Sequence, residues 1–161
     1  MRILLVYANR YRYLAPPPIG IAYLIEPLLR DGHEVKVVDL MFSGDPKGEL
    51  RVAIDAFNPD VVGFSLRNID NQEMRATEYF LPEEKEYVGI ALDKKVTVVL
   101  GGTAFTTFPA ETLAYMGADY GITGQGERSL PRLLRSLKER RLDETIPGLV
   151  WRDNGTIKMN P

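Results

Sequence analysis

Short apolar runs alternate along this chain with stretches in which apolar residues recur at helical spacing. Ile3-Leu4-Leu5-Val6-Tyr7 is a continuous apolar run bounded by polar residues, the pattern of a strand buried on both faces. Comparable runs at 35–39, 61–65, 96–100 and 119–123 predict four more strands. Between them the spacing predicts helices over 19–30, 50–57, 82–93 and 109–116. A last helix carries Leu130, Leu133, Leu134 and Leu137 on one face and Arg132, Arg135, Lys138 and Glu139 on the other. Gly32 and Asn58-Pro59 are stop signals, and Pro82 suits the first turn of a helix. Pro27 falls inside the first helix, where an interior proline costs about 3 kcal/mol, so a kink or a later start is expected there. After Pro147-Gly148, apolar segments on either side of Asp153-Asn154-Gly155 predict a hairpin.

Strands that alternate with helices imply right-handed crossovers and a parallel sheet covered on both sides. Five strands are too few for a closed barrel or a full dinucleotide fold. The expected fold is therefore an α/β flavodoxin-like (Rossmann-like) doubly wound five-stranded parallel sheet, followed by a C-terminal β-hairpin. Residues 1–145 would form the α/β domain, and 146–161 the hairpin and a linker.

Composition narrows the chemistry. The chain has 161 residues with 20 Lys+Arg against 22 Asp+Glu, a net charge of −2 that gives no footprint for nucleic acid. It contains no cysteine, which excludes disulfides, zinc ribbons, cluster ligation and a thiol nucleophile within these residues. A single histidine, His33, excludes a multi-histidine metal site and leaves no serine–histidine–aspartate triad to assemble. Its place at the entry to the second strand makes it a surface residue. No apolar run is long enough for a membrane span, and no signal peptide precedes the first strand, so a cytoplasmic protein is expected.

In an open parallel sheet, ligands bind beyond the carboxyl ends of the strands. Four loops there are rich in glycine, small hydroxyls and amides. Asn9 and Pro18-Ile19-Gly20 follow the first strand, and Ser65-Leu66-Arg67-Asn68 ends and follows the third. Gly101-Gly102-Thr103 with Phe105 follows the fourth, and Gly124-Gln125-Gly126-Glu127 the fifth. Glycines ending a strand admit a bulky group close to the backbone. Familiar alternatives fail individually. No GxGxxG follows the first strand, so Asp39 has no phosphate site to accompany it. No Ser/Thr cradle for a flavin phosphate is found there, and Ser65 stands where a phospho-acceptor aspartate would be needed.

Taken together these pieces resemble the N-terminal cobalamin-binding domain of B12-dependent radical SAM enzymes. The resemblance rests on Pro18-Ile19-Gly20-Ile21-Ala22-Tyr23-Leu24, Gly32-His33-Glu34-Val35 with Asp39, and Pro59-Asp60-Val61-Val62-Gly63-Phe64-Ser65. It continues through Arg67-Asn68-Ile69-Asp70-Asn71, Val99-Leu100-Gly101-Gly102 and residues 118–127. Ile146-Pro147-Gly148-Leu149-Val150-Trp151 is similar to the hairpin that leads into the radical SAM barrel. The resemblance implies a base-off cobalamin whose nucleotide tail enters beside Gly101-Gly102, with Ser65 near the benzimidazole. Asn9 and Pro18-Ile19-Gly20 would lie under the corrin, Arg67 and Asn68 would meet the tail phosphate or corrin amides, and the Gly124–Glu127 turn would close the nucleotide pocket. The wider family carries Asp-x-His-x-x-Gly after the first strand. That histidine is missing here, so the resemblance implies a His-off cobalt whose lower face is empty, holds water, or meets a residue such as Asn9 or Tyr11.

The implied role is a cofactor-binding fragment of a methyltransferase-type enzyme. S-adenosylmethionine and a [4Fe-4S] cluster would then reside in a radical SAM domain in cis, beyond Asn160-Pro161. Two other readings stay open. One is a ligand-free scaffold using Tyr11, Tyr13 and Tyr23 as a contact surface, and the other is a flavin-binding electron carrier. A bulky residue at Gly102 is expected to separate ligand loss from loss of fold.

Overall fold

A computed structural model of the chain describes residues 1–12 and 15–161. Tyr13, named above as part of a contact surface, lies outside them.

The chain begins with β1 (Arg2–Tyr7), α1 (Ile19–Arg30), β2 (Glu34–Asp39), α2 (Pro46–Phe57) and β3 (Val61–Ser65). It continues through α3 (Leu81–Asp93), β4 (Thr97–Gly101), α4 (Thr103–Thr107), α5 (Pro109–Met116) and β5 (Tyr120–Ile122). α6 (Gly126–Lys138) and the hairpin of β6 (Leu149–Asp153) and β7 (Thr156–Met159) complete it. The first five strands are parallel in the order β2-β1-β3-β4-β5, the doubly wound arrangement expected. The hairpin does not stand apart. β6 pairs antiparallel with β5 and β7 with β6, so the sheet has seven strands rather than five. Burial explains the extension, because Ile146, Leu149, Val150 and Trp151 are all buried.

Alternation along each strand divides the core into two layers. Ile3, Leu5, Tyr7, Val61 and Val99 pack with Ile21 and Leu28 of α1 and Leu130, Leu133 and Leu134 of α6. Leu4, Val6, Val62, Phe64 and Leu100 point the other way, toward α2, α3, α4 and α5.

Two local features need a physical account. Pro27 lies inside α1, which begins at Ile19 rather than later, and is itself buried. The carbonyl it leaves without an N–H donor belongs to Tyr23, an exposed residue, so water can serve it. Pro131 is likewise inside α6 and frees the carbonyl of Glu127 from the helical ladder. The second feature is α4, a helical turn immediately after β4. Gly102 reverses the chain with φ of +95°, and the Thr106 amide then donates to the Gly102 carbonyl at 3.0 Å.

Candidate functional site

The carboxyl edge of the sheet carries a cleft, and the pleat explains why it exists. Ser65 pairs with Tyr7 on one side and Gly101 on the other. One layer deeper, Gly63 pairs with Leu5 and Val99. All of these face α1 and α6, so two adjoining strands present glycine or serine where side chains would otherwise fill the layer. The result is a cleft of about 190 Å³ running down the sheet between α1 and α6. Its walls are Leu5, Ile21, Leu24, Val99, Ile122 and Leu130, and its mouth is formed by Gly124, Gln125, Gly126 and Glu127. A second cavity of about 290 Å³ adjoins it, sharing Gly20, Ser65 and Gly102. This one is more polar in its chemistry, bounded by Tyr7, Arg67 and Thr103 as well as by Pro16, Pro17, Pro18 and Ile19.

Space at the glycines shows what the emptiness is for. A Cβ on Gly102 would stand 2.9 Å from the Leu66 carbonyl carbon, and its φ is positive, so the backbone itself demands glycine there. Gly101 and Gly20 are different. Among the described residues, a Cβ on Gly101 would meet only the Ile122 carbonyl oxygen, at an ordinary 3.7 Å, and one on Gly20 would meet nothing within 4 Å. Neither has positive φ. Glycine inside α1 costs about 0.5–1 kcal/mol relative to alanine. Among the described residues no packing contact and no turn requires it at either position, and both glycines open into the cleft.

Of the residues singled out from sequence, Gly20, Ser65, Gly101, Gly102, Gly124, Gly126 and Glu127 meet at the first cavity. Pro18, Ile19, Arg67 and Thr103 meet at the second. Asn9, Leu66, Asn68 and Phe105 line neither. Asn9 is buried, with its amide donating to the Tyr7 hydroxyl at 3.2 Å and its carbonyl oxygen accepting from the Tyr11 amide at 3.3 Å. The Tyr11 ring packs on Phe80, 5.7 Å between centroids. Leu66 serves through its backbone, its amide bonded to the Gly101 carbonyl and its carbonyl to the Ala104 amide. Phe105 is buried on the opposite side of the sheet, against Gly121.

Several lining residues were missed. Gly63 carried a signal, since glycine inside an apolar strand marks a close approach. Leu24 carried none, because what brings it to the cleft is the placing of α1 beside α6; Gln125 belongs to the Gly124–Glu127 turn already expected at the pocket. Titratable groups with displaced pKa values lie outside the cleft walls. The most displaced carboxyl is Glu84 in the first turn of α3, pushed up to about 8 by burial and secondarily by the charge of Glu83. With small neutral groups at its base and apolar walls, the cleft is suited to holding a flat, largely apolar heterocycle and offers no acid–base pair.

The sequence matches the B12 binding domain family over residues 8–134. The chain belongs to that family. It is 33% identical over 141 residues to the tryptophan 2-C-methyltransferase of Streptomyces laurentii, covering 84% of this chain and 24% of that protein. It is 28% identical over 148 residues to an uncharacterised methyltransferase of Pyrococcus horikoshii, covering 90% of this chain and 30% of that protein. Among solved structures, the radical S-adenosylmethionine methyltransferase TsrM of Kitasatospora setae, with cobalamin and a [4Fe-4S] cluster bound, superposes with a TM-score of 0.91 at 30% identity. That match covers 99% of this chain and 28% of TsrM. The cobalamin-dependent S-adenosylmethionine radical enzyme OxsB shares the fold, with a TM-score of 0.78 at 16% identity, over 99% of this chain and 22% of OxsB. The chain thus spans less than a third of the length of these relatives.

Proposed function

We propose that this chain is the cobalamin-holding part of a radical SAM enzyme and binds the cofactor base-off and His-off. The observation that carries this reading is the pair Gly20 and Gly101, which keep a deep cleft open although nothing in the packing of the described residues requires glycine there. Gly63, Gly101 and the apolar walls leave room for the nucleotide tail, with the Ser65 hydroxyl offering a hydrogen bond to its heterocycle. In the adjoining cavity the Arg67 guanidinium offers donors to the tail phosphate or to corrin amides, the Thr103 hydroxyl, which donates to the Arg67 carbonyl at 2.5 Å, offers an acceptor, and Pro18-Ile19-Gly20 forms a surface for the corrin.

Bound cobalamin supplies a cobalt centre that can carry a methyl group. This chain's residues bind and orient the cofactor and exclude water from its tail. The loop after β1 has no histidine, which supports a cofactor held without a histidine donor, and the Asn9 amide is engaged within the protein by Tyr7 and the Tyr11 backbone. A cluster would need thiolates from elsewhere, because the chain has no cysteine. S-adenosylmethionine, the cluster and the methyl acceptor are therefore assigned to a radical SAM domain in cis. Titration with hydroxocobalamin, followed by visible absorption, tests the binding. Saturable spectral change with the band position of base-off cobalamin is expected, and an unchanged spectrum at protein excess refutes it.

A further inference from the structure

The turn that closes the cleft, Gly124 to Glu127, is held from two sides. On the hairpin side, the Thr123 amide and hydroxyl both donate to the Gly148 carbonyl, at 2.9 and 3.2 Å. On the other side, among the described residues, one side chain hydrogen-bonds it. The Gly124 amide donates to Thr106 Oγ1 at 3.0 Å, and that hydroxyl donates to the Gly102 carbonyl, also at 3.0 Å. Gly102 and Gly124 both line the cleft, yet they belong to different loops, one after β4 and one after β5. Thr106 itself lines neither cavity.

We infer that the Thr106 hydroxyl is a positioning residue for ligand binding, a two-bond bridge that sets the distance between the Gly102 and Gly124 walls. Valine in its place keeps the shape but removes both bonds, which leaves the Gly124 amide without its protein acceptor and the turn tied on one side only. Thr106 is exposed on a short helix, so the loss should be felt at the turn more than in the core. The inference rests on the cobalamin assignment above. It extends that assignment by separating recognition of the nucleotide tail, which depends on this turn, from recognition of the corrin.

The test compares hydroxocobalamin with cobinamide, which has the corrin without the nucleotide, on the unmodified chain, Thr106→Val and Thr106→Ser. The expected result is about fivefold weaker hydroxocobalamin binding by Thr106→Val, the equivalent of one hydrogen bond, with cobinamide binding within twofold and Thr106→Ser restored. Faster amide exchange at Gly124 in the ligand-free Thr106→Val chain is also expected and does not depend on any ligand. Unchanged hydroxocobalamin affinity, equal weakening of both probes, or unchanged Gly124 exchange each overturns the role of Thr106. Failure of the unmodified chain to bind hydroxocobalamin refutes the cobalamin assignment first, and this role with it.

Discussion

Ser65 and Gly101 are register partners at the carboxyl ends of β3 and β4, and both face the layer that α1 and α6 cover. One brings a hydroxyl and the other nothing, so the sheet ends in a polar notch above an apolar slot. That pairing makes the cleft an interruption of the core rather than a hollow on its surface.

Filling the notch should abolish binding without harming the fold. Gly101→Val places methyl groups into the cleft, and Gly20→Leu does so from α1. Both variants are expected to melt at or above the temperature of the unmodified chain, since replacing an unconstrained glycine stabilises by about 0.4–1 kcal/mol through the unfolded state. Hydroxocobalamin affinity should fall at least tenfold in each. Gly102 makes a poorer probe than its neighbour, because Gly102→Ala strains a φ of +95° and drives a Cβ into the Leu66 backbone. It should cost about 1–3 kcal/mol in thermal denaturation whatever it does to the ligand.

Phe105 provides the opposite contrast. Its ring lies so close to Gly121 that a Cβ there would stand 2.6 Å from Cε1. Phe105→Leu should therefore destabilise the fold by about 1–3 kcal/mol through lost packing. Hydroxocobalamin affinity, measured well below the melting temperature, should stay within twofold. A large loss of affinity in a stably folded variant would put Phe105 in the site.

Glu84 predicts a pH dependence. Its carboxyl is buried, its Oε2 has no hydrogen-bond partner among the described residues, and its folded pKa of about 8 stands above an ordinary 4.5. Between those values the folded state holds the proton more tightly than the unfolded state. The contribution to stability is therefore fully present below pH 4.5, declines as the pH rises, and is gone above about 8. Melting temperatures measured from pH 5 to 9 should fall for the unmodified chain and vary less for Glu84→Gln. Parallel curves for the two proteins would mean that Glu84 does not titrate in this range.

Much of the site was legible in the residues because open parallel sheets place their ligand loops at the strand ends. Once Ser65 and Gly101-Gly102 were read as strand termini, they had to lie on one edge. Gly124 and Gly126 followed by the same rule. Which side of the sheet each residue would face was not legible. Asn9 and Phe105 share the chemistry of site residues, yet Asn9 turns inward to Tyr7 and Phe105 packs under β5. Asn9 lies in a loop and Phe105 in the single short turn of α4, and neither segment has a period long enough to tell its facing apart from that of Ser65.

By itself the sequence determined the alternation of strands and helices, the stop signals and the order of loops along the carboxyl edge, because these follow from local periodicity and backbone restriction. It also determined that no cysteine and no histidine in the β1 loop would serve a metal. Tertiary structure decided the rest. Strand pairing drew the hairpin into the sheet, cross-strand register set Ser65 beside Gly101, and the packing of α1 against α6 brought Leu24 to within 3.0 Å of where a Gly126 side chain would begin. Contacts of that kind join residues far apart in the chain, and no local pattern encodes them.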